Sequence, residues 1–178
     1  MTTFTGKRVH ILNPAPSEID IVDIAHALAN ICRFGGHVPR FFSVAQHSVL
    51  VSDLLVEWGR QELALWGLLH DAAEAYLGDL IRPLKLSVLG YAELEEKMMA
   101  AISIRFSLPP GLPSEVQRAD NAILATEFRD LRGYATEKAS EYAGGVHPRA
   151  TIGIRPYCPE VAEDVFLSRY QQLVRRVA

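Results

Sequence analysis

The sequence predicts an all-α fold: a compact bundle of helices in a single domain over residues 1–178, with room for a minor β-ribbon. Two observations carry that expectation. Several segments repeat apolar residues at helical spacing behind residues that cap helix starts. One segment, Gln61 to Leu77, is apolar nearly all round, as a helix packed on several sides must be. A chain of 178 residues is long enough for one proper core and short for two.

The residues through about Pro16 read as extended or looped. Ser17 is expected to cap a first helix on which Ile21, Ile24, Ala25 and Leu28 share a face; it ends near Arg33-Phe34-Gly35-Gly36, where paired glycines break regular structure. Ser43, with Gln46 three residues on, has the pattern of a capping box and opens a helix to about Trp58 that carries His47 in its first turn. Gln61 to Leu77 is expected to be one continuous helix stopping at Gly78. Further helices are expected over Tyr91 to Phe106 and Pro113 to Arg132, on either side of an LPPG turn. Gly144 to Tyr157, with three glycines, two prolines and a TIGI run, suggests a loop or small ribbon. Pro159, suited to a first turn, opens the last helix.

The formal net charge is −3, and no basic run marks a groove for a nucleic-acid polymer. Cys32 and Cys158 make no disulfide framework and read as small hydrophobes of a reduced compartment. The opening residues lack a signal-like apolar stretch, and His70, Asp71 and Glu74 interrupt the longest apolar segment, so neither export nor a membrane span is expected. The expected location is the cytoplasm.

The chemistry concentrates in His70-Asp71-Ala72-Ala73-Glu74. His70 and Glu74 are four apart and Asp71 and Glu74 three apart, so all three crowd one sector of the most apolar helix. Left unpaired there, they would carry a heavy desolvation penalty. A divalent cation relieves it, because carboxylate oxygen and neutral imidazole are suitable ligands. Adjacent residues cannot close such a site alone. His47 is the best second imidazole, and Asp120 interrupts the apolar stripe of Val116, Ile123 and Leu124. Glu127 lies on much the same face and competes with Asp120, and the pattern does not separate them. His10, His26 and His147 read as structural, and His37 stands close to the glycine turn.

The order His47, then His70-Asp71, then Asp120 resembles the H…HD…D signature of the HD-domain metal-dependent phosphohydrolase superfamily. It is similar to the small bacterial 5′-deoxynucleotidases and the phage dATP triphosphohydrolases related to them. In those enzymes an Arg-aromatic pair precedes the first His by about fourteen residues, and Arg33-Phe34 stands there; Glu74 and Asp79 match the acids that follow the HD pair. The likeness spans roughly Arg33 to Asp130. It implies an HD-domain bundle with His47, His70, Asp71 and Asp120 as metal ligands, choosing Asp120 over Glu127. It also implies hydrolysis of a 5′-phosphate from (deoxy)nucleotides, as a nucleotidase or a triphosphohydrolase. The metal would be Co, Mn, Zn, Mg or Fe, and the assembly a homo-oligomer, dimer or hexamer. Phe34 replaces the Trp usual in those families, and Gly35 and Gly36 follow it where a bulkier side chain helps choose the base, so base preference is the property least transferred.

Glu74 and Asp79 are then the catalytic candidates that orient or deprotonate water, or protonate the leaving oxygen, with Asp79 the more direct. Arg33 is the candidate phosphate clamp through its forked guanidinium, Lys85 a candidate contact to a distal phosphate, and Phe34 a candidate stacking surface for sugar or base. Two other readings compete: an HD-type di-iron oxygenase, which needs extra histidines for a second metal, and a non-catalytic HD-like signalling module, which would have lost its ligands.

Overall fold

The structure, a computed structural model, describes residues 1–175, Arg82 by its backbone alone. Its regular elements are helices: α1 (Ile21–Asn30), α2 (Val44–Glu57), α3 (Ala64–Leu69), α4 (Glu74–Leu77), α5 (Arg82–Ser87), α6 (Tyr91–Arg105), α7 (Ser114–Arg132), α8 (Thr136–Tyr142) and α9 (Pro159–Arg175). The β content of the described residues is two isolated bridges, Thr2 with Arg8 and Cys32 with Ser43. No described helix is long and apolar enough to cross a membrane.

Helix α2 is the hub, packing against α1, α3, α7 and α9. Its sequence serves two apolar clusters at once. Val44, Ala45 and Val49 join Ile24, Leu28, Leu68, Met98 and Phe166 in one, while Val51, Leu54 and Leu55 join Trp66, Val116 and Ile123 in the other. Each large aliphatic side chain fully buried this way stabilises the fold by roughly 1.5–3 kcal/mol. Gly67 lets α3 lie directly on α2: a Cβ there would stand 2.5 Å from Leu55 Cδ1 and 3.2 Å from Ser52 Cα. The second neighbour is backbone and cannot swing aside. Gly67→Ala is therefore expected to cost about 1–3 kcal/mol, seen as a lower urea midpoint; an unchanged midpoint would mean the helices are not in such close contact.

Several local expectations are corrected. Asp20, not Ser17, caps α1: its Oδ1 accepts from the Val22 amide at 2.9 Å, and Ser17 lies in a 3₁₀ turn, Pro16–Glu18. Ser43 does cap α2, accepting from the Gln46 amide at 3.1 Å. Gln46 does not reach back to close a box; its amide donates to the Arg155 carbonyl and its oxygen accepts from the Tyr157 amide. Tertiary partners outcompete the local one.

The expected helix Gln61 to Leu77 is broken into the 3₁₀ turn Gln61–Leu63, then α3, then a run of turns over 70–73, then α4. Across that run the amides of Ala72, Glu74 and Tyr76 each bond the carbonyl three residues back, the tighter 3₁₀ pattern. The His70 ring donates from Nδ1 to the Gly67 carbonyl at 2.8 Å. The segment nonetheless lies centrally, as its apolar circumference demanded, with Leu68, Leu69, Ala72 and Ala73 buried.

Residues 144–157 form no ribbon. Their backbone groups are taken by side chains instead: the Arg129 guanidinium donates to the Arg149 and Ile152 carbonyls, Thr126 Oγ1 accepts from the Arg149 amide, and Asp130 accepts from the Ile154 amide. Helices α5 and α8 were not expected, both being short and weakly patterned. Cys158 is exposed rather than a buried hydrophobe.

Candidate metal centre and its cleft

Four elements converge on one point. The bridge between Cys32 and Ser43, with the Arg33 amide on the Phe42 carbonyl at 2.9 Å, folds residues 33–42 into a loop that sets Arg33 beside the start of α2. Helix α2 supplies His47, the turn between α3 and α4 supplies His70 and Asp71, and α7 supplies Asp120 and Glu127, seven residues apart and so on one face.

The two histidines share one arrangement. His47 donates Nδ1–H to Glu127 Oε1 at 2.7 Å, and His70 donates Nδ1–H to the Gly67 carbonyl. Both Nε2 lone pairs therefore point inward, 3.3 Å apart. Asp71 Oδ2 lies 3.2 Å from His70 Nε2 and 3.7 Å from His47 Nε2, and Asp120 Oδ1 lies 3.2 Å from His47 Nε2 and 3.9 Å from that of His70. Ligand atoms of His47, His70 and Asp71 all lie within 4.8 Å of one another. With both Nδ1 protons directed outward, four electron-rich atoms face each other, and a divalent cation is the group that such a nitrogen-and-oxygen set accommodates.

The electrostatics agree. Burial and the Arg33 charge push the His47 imidazole down, yet Glu127 and Asp120 outweigh them and carry it up to about 9. Burial raises Asp71, but the charges of His70, His47 and Arg33 hold it well below the usual carboxylate range; Asp120 is likewise lowered against its burial, by His47 and His70. The negative potential that raises His47 is also one that favours a cation.

Glu127, a competitor for the ligand position in the sequence, stands one layer out. It is wholly buried between His47 and Arg33, whose Nε and Nη2 both donate to Oε2 at 3.1 and 3.0 Å. Arg33 Nη1 lies 3.7 Å from Asp71 Oδ2. The expected phosphate clamp is thus largely engaged in holding Glu127, with one nitrogen turned toward the ligands. This ordering role for Arg33 was missed. The signal available in the sequence was only that Glu127 lies two turns after Asp120.

A cleft of about 1430 Å³ opens over the centre, lined among others by Arg33, Phe34, Asp71, Glu74, Asp79 and Asp120. Gly78 ends α4 with φ +82° and ψ 155°, a conformation open essentially to glycine alone, and so turns Asp79 into the cleft wall. Burial raises Asp79 above the usual range. Lys85 also lines the cleft, but it is ion-paired with Glu95, and a phosphate would have to displace that partner. His37 is exposed and does not line the cleft; His10 and His26 pair with Glu18 and Glu163.

Glu74 Oε2 is buried with no hydrogen-bond partner among the described residues. Burial first, then the charges of Asp71 and Asp79, push its carboxyl up to about 10. A carboxyl that titrates higher folded than unfolded opposes folding once pH exceeds its unfolded value, near 4.5, and opposes it increasingly up to about 10. In chelator at pH 8, Glu74→Gln is therefore expected to be more stable than the parent by on the order of 1–2 kcal/mol. Thermal unfolding should show that gain vanishing at pH 4; a variant no more stable at pH 8 would contradict the buried, uncompensated acid.

No protein-family model matches the chain. It is 40% identical, over 96% of its length and 93% of the relative's, to the Escherichia coli protein named Uncharacterized protein YfdR. It is 34% identical, over 98% of its length and 95% of the relative's, to Uncharacterized protein RCAP_rcc00048 of Rhodobacter capsulatus. Neither name states an activity. Identity at this level over nearly the whole of each chain shows common descent, and the chain belongs to the family that includes YfdR and RCAP_rcc00048.

Proposed function

We propose that the chain is a divalent-metal-dependent phosphohydrolase of the HD-domain type, acting in the cytoplasm on (deoxy)nucleotides as a 5′-nucleotidase or a triphosphohydrolase. The observation that carries this reading is the inward convergence of His47 and His70 Nε2 with oxygens of Asp71 and Asp120 at the floor of a large cleft. A cation bound there supplies Lewis acidity and neutralises phosphate charge.

The protein's own groups do the rest. Arg33 Nη1, the nitrogen not bound to Glu127, is placed to meet a phosphate oxygen. Asp79, on the cleft wall, accepts the proton of the attacking water. Glu74, which holds its proton in the metal-free site, donates a hydrogen bond toward the reacting group. Phe34 offers a ring to the sugar or base. The oxygenase reading gains no support, because among the described residues His47 and His70 are the imidazoles at the centre, and acids, Glu74 and Asp79, stand in the cleft beside them.

The test is release of phosphate or triphosphate from a panel of dNMPs and dNTPs with added Mn or Co, beside chelated protein. Phosphate from monophosphates identifies a nucleotidase, and triphosphate from a dNTP a triphosphohydrolase. No turnover of any of them, with metal demonstrably bound, rejects the nucleotide assignment.

A further inference from the structure

The cleft over the metal centre has two chemically different ends. Along α6 it is lined by Ala92, Glu95, Glu96, Met99, Ser103 and Ile104, positions at helical spacing, so it follows one face of that helix for about 18 Å. Around the start of α6 the lining is charged: Glu95 and Glu96 stand there, with Lys85 paired to Glu95. Around the end of α6, where residues 108–112 turn toward α7, it is not. No described lining residue from Met99 to Gln117 carries a charge.

The uncharged end is built against the centre. Trp66 stands one helical turn before His70 and donates its indole N–H to the Pro109 carbonyl at 3.0 Å, which moors the turn to the segment carrying two ligand candidates. The Leu108 amide, on the Ser103 carbonyl at 2.9 Å, finishes α6 there. On α7, Gln117 donates to Asp120 Oδ2 at 3.0 Å while Oδ1 faces His47, and Asn121 follows in the cleft wall. This limb of the cleft therefore begins at a ligand candidate and is fixed by hydrogen bonds to it. It offers apolar surface on Met99, Leu108 and Leu112, with a hydroxyl and an amide from Ser103 and Asn121. Phe34, Phe128 and Tyr142 line the cleft too, but Phe128 meets Phe34, Tyr134 and Tyr142 at centroid distances of 5.3, 5.6 and 5.1 Å, so those rings cover much of one another.

We propose that the uncharged limb is the nucleoside subsite of the cleft. With its phosphate at the centre, a nucleotide lays its base between α6 and the turn over residues 108–112 and sets a polar edge against Asn121 and Ser103. A neutral, flat base gains by leaving water for apolar surface with a few polar groups, whereas at the other end it would have to strip water from carboxylates. Phe34, beside Arg33, is then left to the sugar. The assignment rests on the nucleotide reading of the preceding subsection and deepens it.

Deoxynucleosides test the limb directly, because they carry no phosphate and are not turned over. Added to isotope-labelled full-length protein in chelator, they are expected to shift the backbone amide resonances of Ser103, Leu108 and Asn121 and to leave those of Lys85 and Glu95 in place. Ser103→Phe, which fills the limb, should weaken them by about tenfold. Ala92→Phe, on the same face of α6 but at the charged end, should leave their affinity unchanged. The resonance map is read on the parent protein, so it decides even if Ser103→Phe disturbs packing. Shifts centred on Glu95 or on Phe128, unchanged affinity in Ser103→Phe, a loss in Ala92→Phe, or no shift with any deoxynucleoside each overturns the subsite. Binding in the expected pattern, with no phosphate or triphosphate released from any dNMP or dNTP once Mn is restored, instead rejects the hydrolase reading and leaves the subsite standing.

Discussion

Asp71→Ala is expected to abolish turnover, lowering it by more than about a thousandfold, because the several kcal/mol that a cation contributes to charge stabilisation is lost with it. Asp71 faces both imidazoles and Arg33 at once. One oxygen stands 3.2 Å from His70 Nε2 and 3.7 Å from His47 Nε2, and 3.7 Å from Arg33 Nη1. Without it, Asp120 is the carboxylate left facing both Nε2 atoms among the described residues, and Arg33 loses a neighbouring charge. Metal content after dialysis separates the causes: the variant should retain little Mn or Co while its circular dichroism matches the parent. A variant that kept both metal and activity would remove Asp71 from the centre.

The second large effect belongs to Glu127, which is wholly buried and serves two partners at once. Glu127→Gln still offers an amide oxygen to one of them, but it cannot carry the charge that Arg33 and His47 both use. Outer partners of this kind, when removed, typically cost about 10–100-fold in metal affinity or activity. Loss of the charge also leaves the guanidinium of Arg33, only 12% exposed, without its principal partner, a defect that costs about 3–5 kcal/mol when a buried pair is broken. The double variant Arg33→Gln/Glu127→Gln removes both charges. It should recover much of the stability in urea and none of the metal affinity by calorimetry. Wild-type affinity in Glu127→Gln would show that the orientation of His47 does not depend on the carboxylate.

The candidate centre was legible because its residues violate their local pattern. An imidazole and two acids on the most apolar segment, and an acid in the apolar stripe of α7, are expensive wherever they are buried, so the sequence alone marks them as needing a partner. The structure then brings His47, His70, Asp71 and Asp120 within a few ångströms, although His47 and Asp120 stand 73 positions apart in the chain. The Asp20 cap, by contrast, was missed because Ser17 and Asp20 are both good capping residues. The choice fell to Asp20, whose other oxygen also accepts from Lys7 Nζ at 2.7 Å.

What the sequence determined by itself was therefore the helical class, the bounds of α2, α6 and α7 to within a residue or two, the start of α9, and the set of side chains that cannot be buried unpaired. Those properties depend on neighbours a few positions away, through periodicity, capping and desolvation. Tertiary structure alone decided the break between α3 and α4, the absence of a ribbon over residues 144–157, and where Asp120 and Glu127, level by periodicity and separated only by the family resemblance, stand against His47. Two acids seven residues apart on one helix face are equivalent to any periodic pattern. Only the packing of α7 against α2 sets one level with the inward nitrogen of His47 and the other with its outward one.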